Sequence, residues 1–148
     1  MSHALCRSLL VVLMTCLTLV SPLIAQNWDE DRSQAEAQYE YIKLLIKNGD
    51  FGKVAQATGE FFSIRFPESE EHHFVDTAER ISTALTKEEQ FEVAHSVLDQ
   101  ALKACRKDHS HGRLFKEKAW VFKKQGNDAE AMVYFEKAKK LLSKDPDR

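Results

Sequence analysis

Three stretches of this chain can be laid over one another: KNGDFGKVAQATGEFF (47–62), KEEQFEVAHSVLDQAL (87–102) and KQGNDAEAMVYFEKAK (124–139). Each follows a segment with apolar residues at three- and four-residue spacing and opens another, so the recurring unit is a helix, a tight turn and a second helix. Superposed, they bring Val54, Ala94 and Ala131 to one position, and Gly49 and Gly126 to another where the middle copy has Glu89. Gly49 and Gly126 supply the left-handed conformation that ends a helix, and Asp50 and Asn127 then stand as N-caps of the next. The middle copy offers Thr86-Lys87-Glu88-Glu89, a capping box that would start its second helix. Ala94 and Ala101, like Ala131 and Ala138, lie two turns apart on one face, where small side chains let helices approach beside Val97, Leu98, Tyr134 and Phe135.

Composition agrees with a helical domain. The chain has 148 residues, a net charge of −2 and 43% hydrophobic residues, values that suit one folded domain. With only 5 Gly and 3 Pro, and helical spacing throughout, strands and hairpin turns have little to stand on. The expected class is all-α, with six helices over about 31–48, 51–65, 70–85, 87–107, 112–125 and 128–143.

These units resemble tetratricopeptide repeats, helix-turn-helix modules of about 34 residues with small residues at fixed places in both helices. The last unit carries the resemblance best, through Ala119, Phe122, Gly126, Ala131, Phe135 and Ala138. The middle one carries it through Ser82, Leu85, Ala94, Leu98 and Ala101. The first is looser, with Val54 and Phe61 at small-residue positions, although GDF and FPES (66–69) resemble repeats of envelope-associated bacterial proteins. The resemblance implies a right-handed superhelical array of three helical hairpins, over about 33–68, 72–108 and 112–145. A solenoid of three units sits at the stability minimum, since each buries its apolar face only against a neighbour. No capping helix follows the last unit, which leaves Met132, Leu141 and Leu142 at an end that a second copy could cover.

Residues 1–25, MSHALCRSLLVVLMTCLTLVSPLIA, are different material: Arg7, an apolar run from Leu9 to Val20, a Ser-Pro break and Ala25 ahead of a polar stretch. This is the pattern of an export signal cleaved after Ala25, leaving a 26–148 domain in the periplasm or outside the cell. The alternative is a membrane anchor over residues 8–25. Cys6 and Cys16 would leave with the signal, so Cys105 has no internal disulfide partner.

In the resembled family, first helices line a concave groove that grips peptide segments. Projected here, the groove would present Tyr39 and Lys43 with Glu36 and Glu40, then Arg80 with Asp76 and Thr83, then Arg113, Lys116, Trp120, Lys123 and Lys124. Its last third is basic around a Trp, a composition suited to an acidic partner segment. The carboxylate clamp of some such proteins is not reproduced, because its positions in the first unit hold Lys43 and Tyr39. The balance of 21 basic against 23 acidic residues gives no field that invites nucleic acid.

Histidines offer a second chemistry. His72, His73, His109 and His111 fall near inter-hairpin turns, and Cys105 and His109 have the spacing to share a helix face, giving a candidate zinc set. No Gly-rich phosphate loop, HExxH or nucleophile elbow occurs, so neither catalysis nor a cofactor is expected. The leading expectation is therefore a non-enzymatic protein-interaction module. The alternatives are a self-assembling structural or adaptor subunit, as a homo-oligomer, and a metal-binding carrier.

Overall fold

The computed structural model describes residues 20–144, with side chains from Trp28 onward. Among the described residues there are six α-helices and no strand: α1 (Val20–Lys47), α2 (Phe51–Ser63), α3 (Glu71–Lys87), α4 (Phe91–Ala104), α5 (Asp108–Lys124) and α6 (Asp128–Leu142). A 3-10 turn, Glu68–Glu70, leads into α3. The expected signal segment lies mostly outside the described residues. α1 starts at Val20 rather than residue 31 and runs through Ala25; Pro22 falls in its first turn, where no intrahelical N–H is required. No described helix is long and apolar enough to cross a membrane.

Packing follows the spacing of apolar residues. Phe74, Val75, Ala78, Ile81 and Leu85 form the buried stripe of α3, and Ala94, Val97, Leu98 and Ala101 that of α4. Burying each large aliphatic side chain of such a stripe contributes about 1.5–3 kcal/mol. Consecutive helices pair as α1/α2, α3/α4 and α5/α6, and further contacts link α3 to α5, α2 to α4 and α4 to α5. α1 touches α3 only sparsely, so these two helices splay. Phe61, Phe62, Phe66 and Phe74 close the joint between the first two hairpins, with the Phe66 and Phe74 rings stacked at 3.8 Å and Phe61 4.9 Å from Phe74. α6 packs chiefly on α5; the extensive contact of α2 with α4 has no counterpart between α4 and α6.

All three hairpins turn in the same way. Asp50 N–H reaches Leu45 O, Gln90 N–H reaches Leu85 O, and Asn127 N–H reaches Phe122 O, each bracketing a second bond from the preceding residue. The preceding residues, Gly49, Glu89 and Gly126, have φ of 76°, 57° and 84°. The capping-box expectation for Thr86–Glu89 is thereby overturned. These residues close α3 instead of opening α4, which starts at Phe91, and the Thr86 Oγ1 is buried without a partner. Asn127 caps α6 as expected, accepting the Glu130 N–H at 3.3 Å, whereas Asp50 makes no cap bond and lies 3.7 Å from Lys53 Nζ. Glu89 carries a Cβ in a conformation that costs an L-residue roughly 1–2 kcal/mol. Glu89→Gly is accordingly expected to stabilise the protein by about 0.5–1 kcal/mol, net of the entropy glycine adds to the unfolded chain, as a higher urea midpoint.

Two further boundaries differ. α4 ends at Ala104, not residue 107, and α5 begins at Asp108, so Gly112 lies within α5 and not at its start. Gly112 is there because a Cβ would come within 2.8 Å of Leu142 Cγ. The α5/α6 seam is built of Gly112, Ala119, Ala131 and Ala138, as the small-residue pattern implied for the last two.

Candidate partner-binding face

α1, α3 and α5 present side chains at successive turns to one face, and that face holds two clefts. The first, of about 190 Å³, opens where α1 and α3 splay and is lined by Trp28, Ala35, Tyr39, Phe61 and Phe74, with Arg80 at its rim. Glu36 and Asp76 also line it, but each has a cation in hand: Glu36 pairs with Arg32 at 3.3 Å and Asp76 with Arg113 at 2.6 Å. Arg80 makes no hydrogen bond or ion pair among the described residues. The second cleft, of about 300 Å³, lies between α3 and α5, lined by Trp120, Val121, Thr83, Thr86 and Glu117 with Lys87 and Lys124. Trp120 is 44% exposed and meets Phe135 edge-on at 5.5 Å.

Between the clefts the face is acidic. Asp76, Glu79, Glu88 and Glu117 line a trench with Arg80 and Lys87. Arg113 crosses beneath, donating to Asp76 Oδ1 at 2.6 Å and to Glu79 at 2.6 and 3.2 Å. Burial disfavours its charge, but the bonds to Glu79 and Asp76 hold its pKa above the ordinary value. Burial pushes the Glu117 carboxyl up, the neighbouring Glu79 adds to this, and the Thr83 hydroxyl at 3.1 Å opposes it.

The eight residues expected to bind a partner are thus divided. Tyr39 and Arg80 meet in the first cleft, and Trp120 and Lys124 in the second. Lys123 lies over the Trp120 ring at 4.8 Å, and Lys116 is exposed one turn before it. Lys43 is engaged by Glu40 at 2.8 Å, which raises its pKa. Arg113 is committed to Asp76 and Glu79, so the basic last third is a single notch flanked by an acidic trench. Trp28, Phe61, Phe74, Lys87 and Glu117 were not anticipated. Running the Tyr39 stripe backwards through Ala35 and Arg32 leads to Trp28, and running Asp76, Arg80 and Thr83 forwards leads to Lys87.

The candidate zinc set is not assembled. Cys105 is the extended residue after α4 and His109 belongs to α5, so they share no helix face. Cys105 is buried, and burial together with the nearby Glu71 charge pushes its thiol up to about 12. His111 Nε2 lies 3.0 Å from Cys105 O, His73 pairs with Glu70 at 3.4 Å, and His72 Nδ1 lies 3.0 Å from Ser69 O. Among the described residues no group of three or more His, Cys, Asp or Glu is placed to hold a metal ion. At the far end Met132 is 65% exposed, while Leu141 and Leu142 are half-buried, Leu142 against Gly112.

Fold and site define an all-helical chain of three hairpins with one face bearing two apolar clefts. Compared with protein-family models, curated proteins and solved structures, the chain matches none.

Proposed function

We propose that this is an exported, non-enzymatic protein-interaction module with the architecture of a tetratricopeptide-like array. A partner segment lies along the α1/α3/α5 face and seats one large apolar side chain in each cleft. The observation that carries this reading is the pairing of two Trp-lined clefts on one face, each with unpaired cations at its rim. Trp, Tyr and Arg supply most of the binding energy at protein interfaces, in desolvated pockets surrounded by a polar rim. Arg80 beside the first anchor, with Lys87 and Lys124 beside the second, favour acidic residues flanking the anchors, while the central trench disfavours them between. Recurrence of one turn geometry in all three hairpins supports the repeat architecture; the displacement of α6 from α4 marks where the last unit departs from it.

The test is selection of peptides from a random displayed library by the full chain, followed by affinity measurement. Selected segments should carry two large apolar residues, and Trp28→Ala or Trp120→Ala should each weaken binding by about tenfold or more, a loss of roughly 1.4 kcal/mol. No enrichment over a Trp28→Ala/Trp120→Ala double variant with unchanged circular dichroism would overturn the reading. Selectants that survive both substitutions would do the same.

A further inference from the structure

The two connections between hairpins are built alike. α2 ends at Ser63 and Ile64 takes an extended conformation, φ −65° and ψ 132°; α4 ends at Ala104 and Cys105 does the same, φ −80° and ψ 153°. Ile64 and Cys105 both turn into the core, and the next residue in each case is an exposed arginine, Arg65 and Arg106. Equivalent places in successive connections bring the two arginines to one edge of the molecule, away from the partner-binding face. There they line a single depression of about 520 Å³ with Phe62, Phe66 and Ala104.

No carboxylate lines this depression, and neither guanidinium makes a hydrogen bond or ion pair among the described residues. Of the acidic residues near in sequence, Glu68 does not line the depression and the others are engaged elsewhere. Glu60 accepts bonds from Gln38 and Gln56 at 3.0 and 3.1 Å, and Glu70 faces His73. Glu71 takes the backbone N–H groups of Arg106 and Lys107 at 3.1 and 2.9 Å from the buried side. The negative C-terminal ends of α2 and α4 account for one arginine at each. They do not account for both arginines opening onto one shared space without a counter-charge.

We infer that Arg65 and Arg106 form a binding site for the phosphate monoester group of a small molecule. Each guanidinium presents a planar fork of donors matched to an oxyanion. A monoester carries about −1.5 to −2 charge near neutral pH, which two guanidinium charges balance. The volume falls within the roughly 300–1,000 Å³ of small-molecule sites, leaving room for the rest of the ligand against Phe66 and Ala104.

Calorimetric titration of the full chain at neutral pH and low salt tests this with three probes: inorganic phosphate, glycerol 3-phosphate and acetate. Both phosphates should bind, with acetate weaker by about tenfold or more, because a single-charged planar anion leaves one guanidinium unmatched. Arg65→Gln and Arg106→Gln should each weaken phosphate binding by about threefold or more and the double variant by about tenfold or more, with Lys139→Gln, at an exposed cation of α6, unchanged. Because both arginines are exposed, the variants should keep the wild-type circular dichroism. Absence of phosphate binding, acetate binding of equal strength, equal affinity in the double variant, or loss in Lys139→Gln would each overturn the assignment.

Discussion

Glu71→Ala is expected to lower the unfolding free energy by about 3 kcal/mol, measured by urea denaturation at neutral pH. Glu71 opens α3 and is 1% exposed. Its carboxylate spans to the start of the third hairpin, accepting the Arg106 N–H on one oxygen and the Lys107 N–H on the other. Truncation to Ala leaves two part-buried backbone donors without this acceptor, each costing about 1–3 kcal/mol. Glu71→Gln keeps one acceptor and turns an amide N–H₂ towards the other donor, so it should fall between wild type and Ala. The pH dependence separates charge from shape. Burial raises the Glu71 carboxyl, but the Ser110 hydroxyl, the Lys107 and Arg106 N–H groups and the Lys107 charge outweigh it, and its pKa lies below the ordinary 4.5. A carboxyl lowered on folding stabilises the protein above its ordinary pKa, and that contribution is lost as pH falls from there through the depressed value. His95, whose ring lies tilted 4.0 Å from that of Phe122, has its pKa lowered from 6.5 mainly by burial, so it loses its contribution earlier in the same descent. The wild type should therefore weaken in two acid stages, and Glu71→Gln should lack the lower one. A wild type and a Glu71→Gln variant with the same stability profile below pH 4.5 would show that folding does not lower the Glu71 pKa.

Gly112→Leu is expected to release α6 from α5 at a cost of about 1–3 kcal/mol of overpacking. Gly112→Ala is a milder case, because alanine gains up to about 1 kcal/mol of helix propensity. Against that gain stands a Cβ 2.8 Å from Leu142 Cγ and 3.3 Å from Leu141 Cβ. Leucine adds bulk with no further gain in propensity, so the clash decides. Because α6 has only Ala131 and Ala138 fully buried and packs chiefly on α5, its undocking is local. Amide exchange should accelerate through Asp128–Leu142 while α3 and α4 keep their protection. Leu142→Ala in the Gly112→Leu background should restore part of the protection. Uniform loss across all helices would instead mean that α6 is integral to the core.

Much of the fold was legible because helical spacing and glycine each have a single physical meaning here. Gly49 and Gly126 mark left-handed turns, and both are. Thr86–Glu89 misled because a Thr followed three residues later by Glu suits a helix start, while the superposition with Gly49 already placed Glu89 at a helix end. A glutamate in a left-handed conformation has no local signature, and neither does a glycine kept small by a side chain thirty residues away, which is why Gly112 was taken for a boundary. Glu71 carries no signal in the sequence, since an acidic residue in a first helical turn ordinarily faces water. At the candidate site, Tyr39, Arg80, Trp120 and Lys124, which the repeat resemblance projected onto one groove, line the two clefts. Arg113 was assigned to a partner because its true partners, Asp76 and Glu79, are distant in sequence and reached only through the packing of α5 on α3. Trp28 was missed because α1 was started too late.

The first cleft has no floor of its own. Phe61 and Phe74, which form its base, are the same rings that hold α2 against α3 at the joint of the first two hairpins. A side chain seated there would touch that joint directly, so occupancy of the cleft and packing of the joint would be thermodynamically linked. A ligand that tightens the joint must be bound more tightly by molecules whose joint is already tight. If the proposed partner segment seats there, substitutions that stiffen the Phe cluster without reaching the cleft surface would raise its affinity.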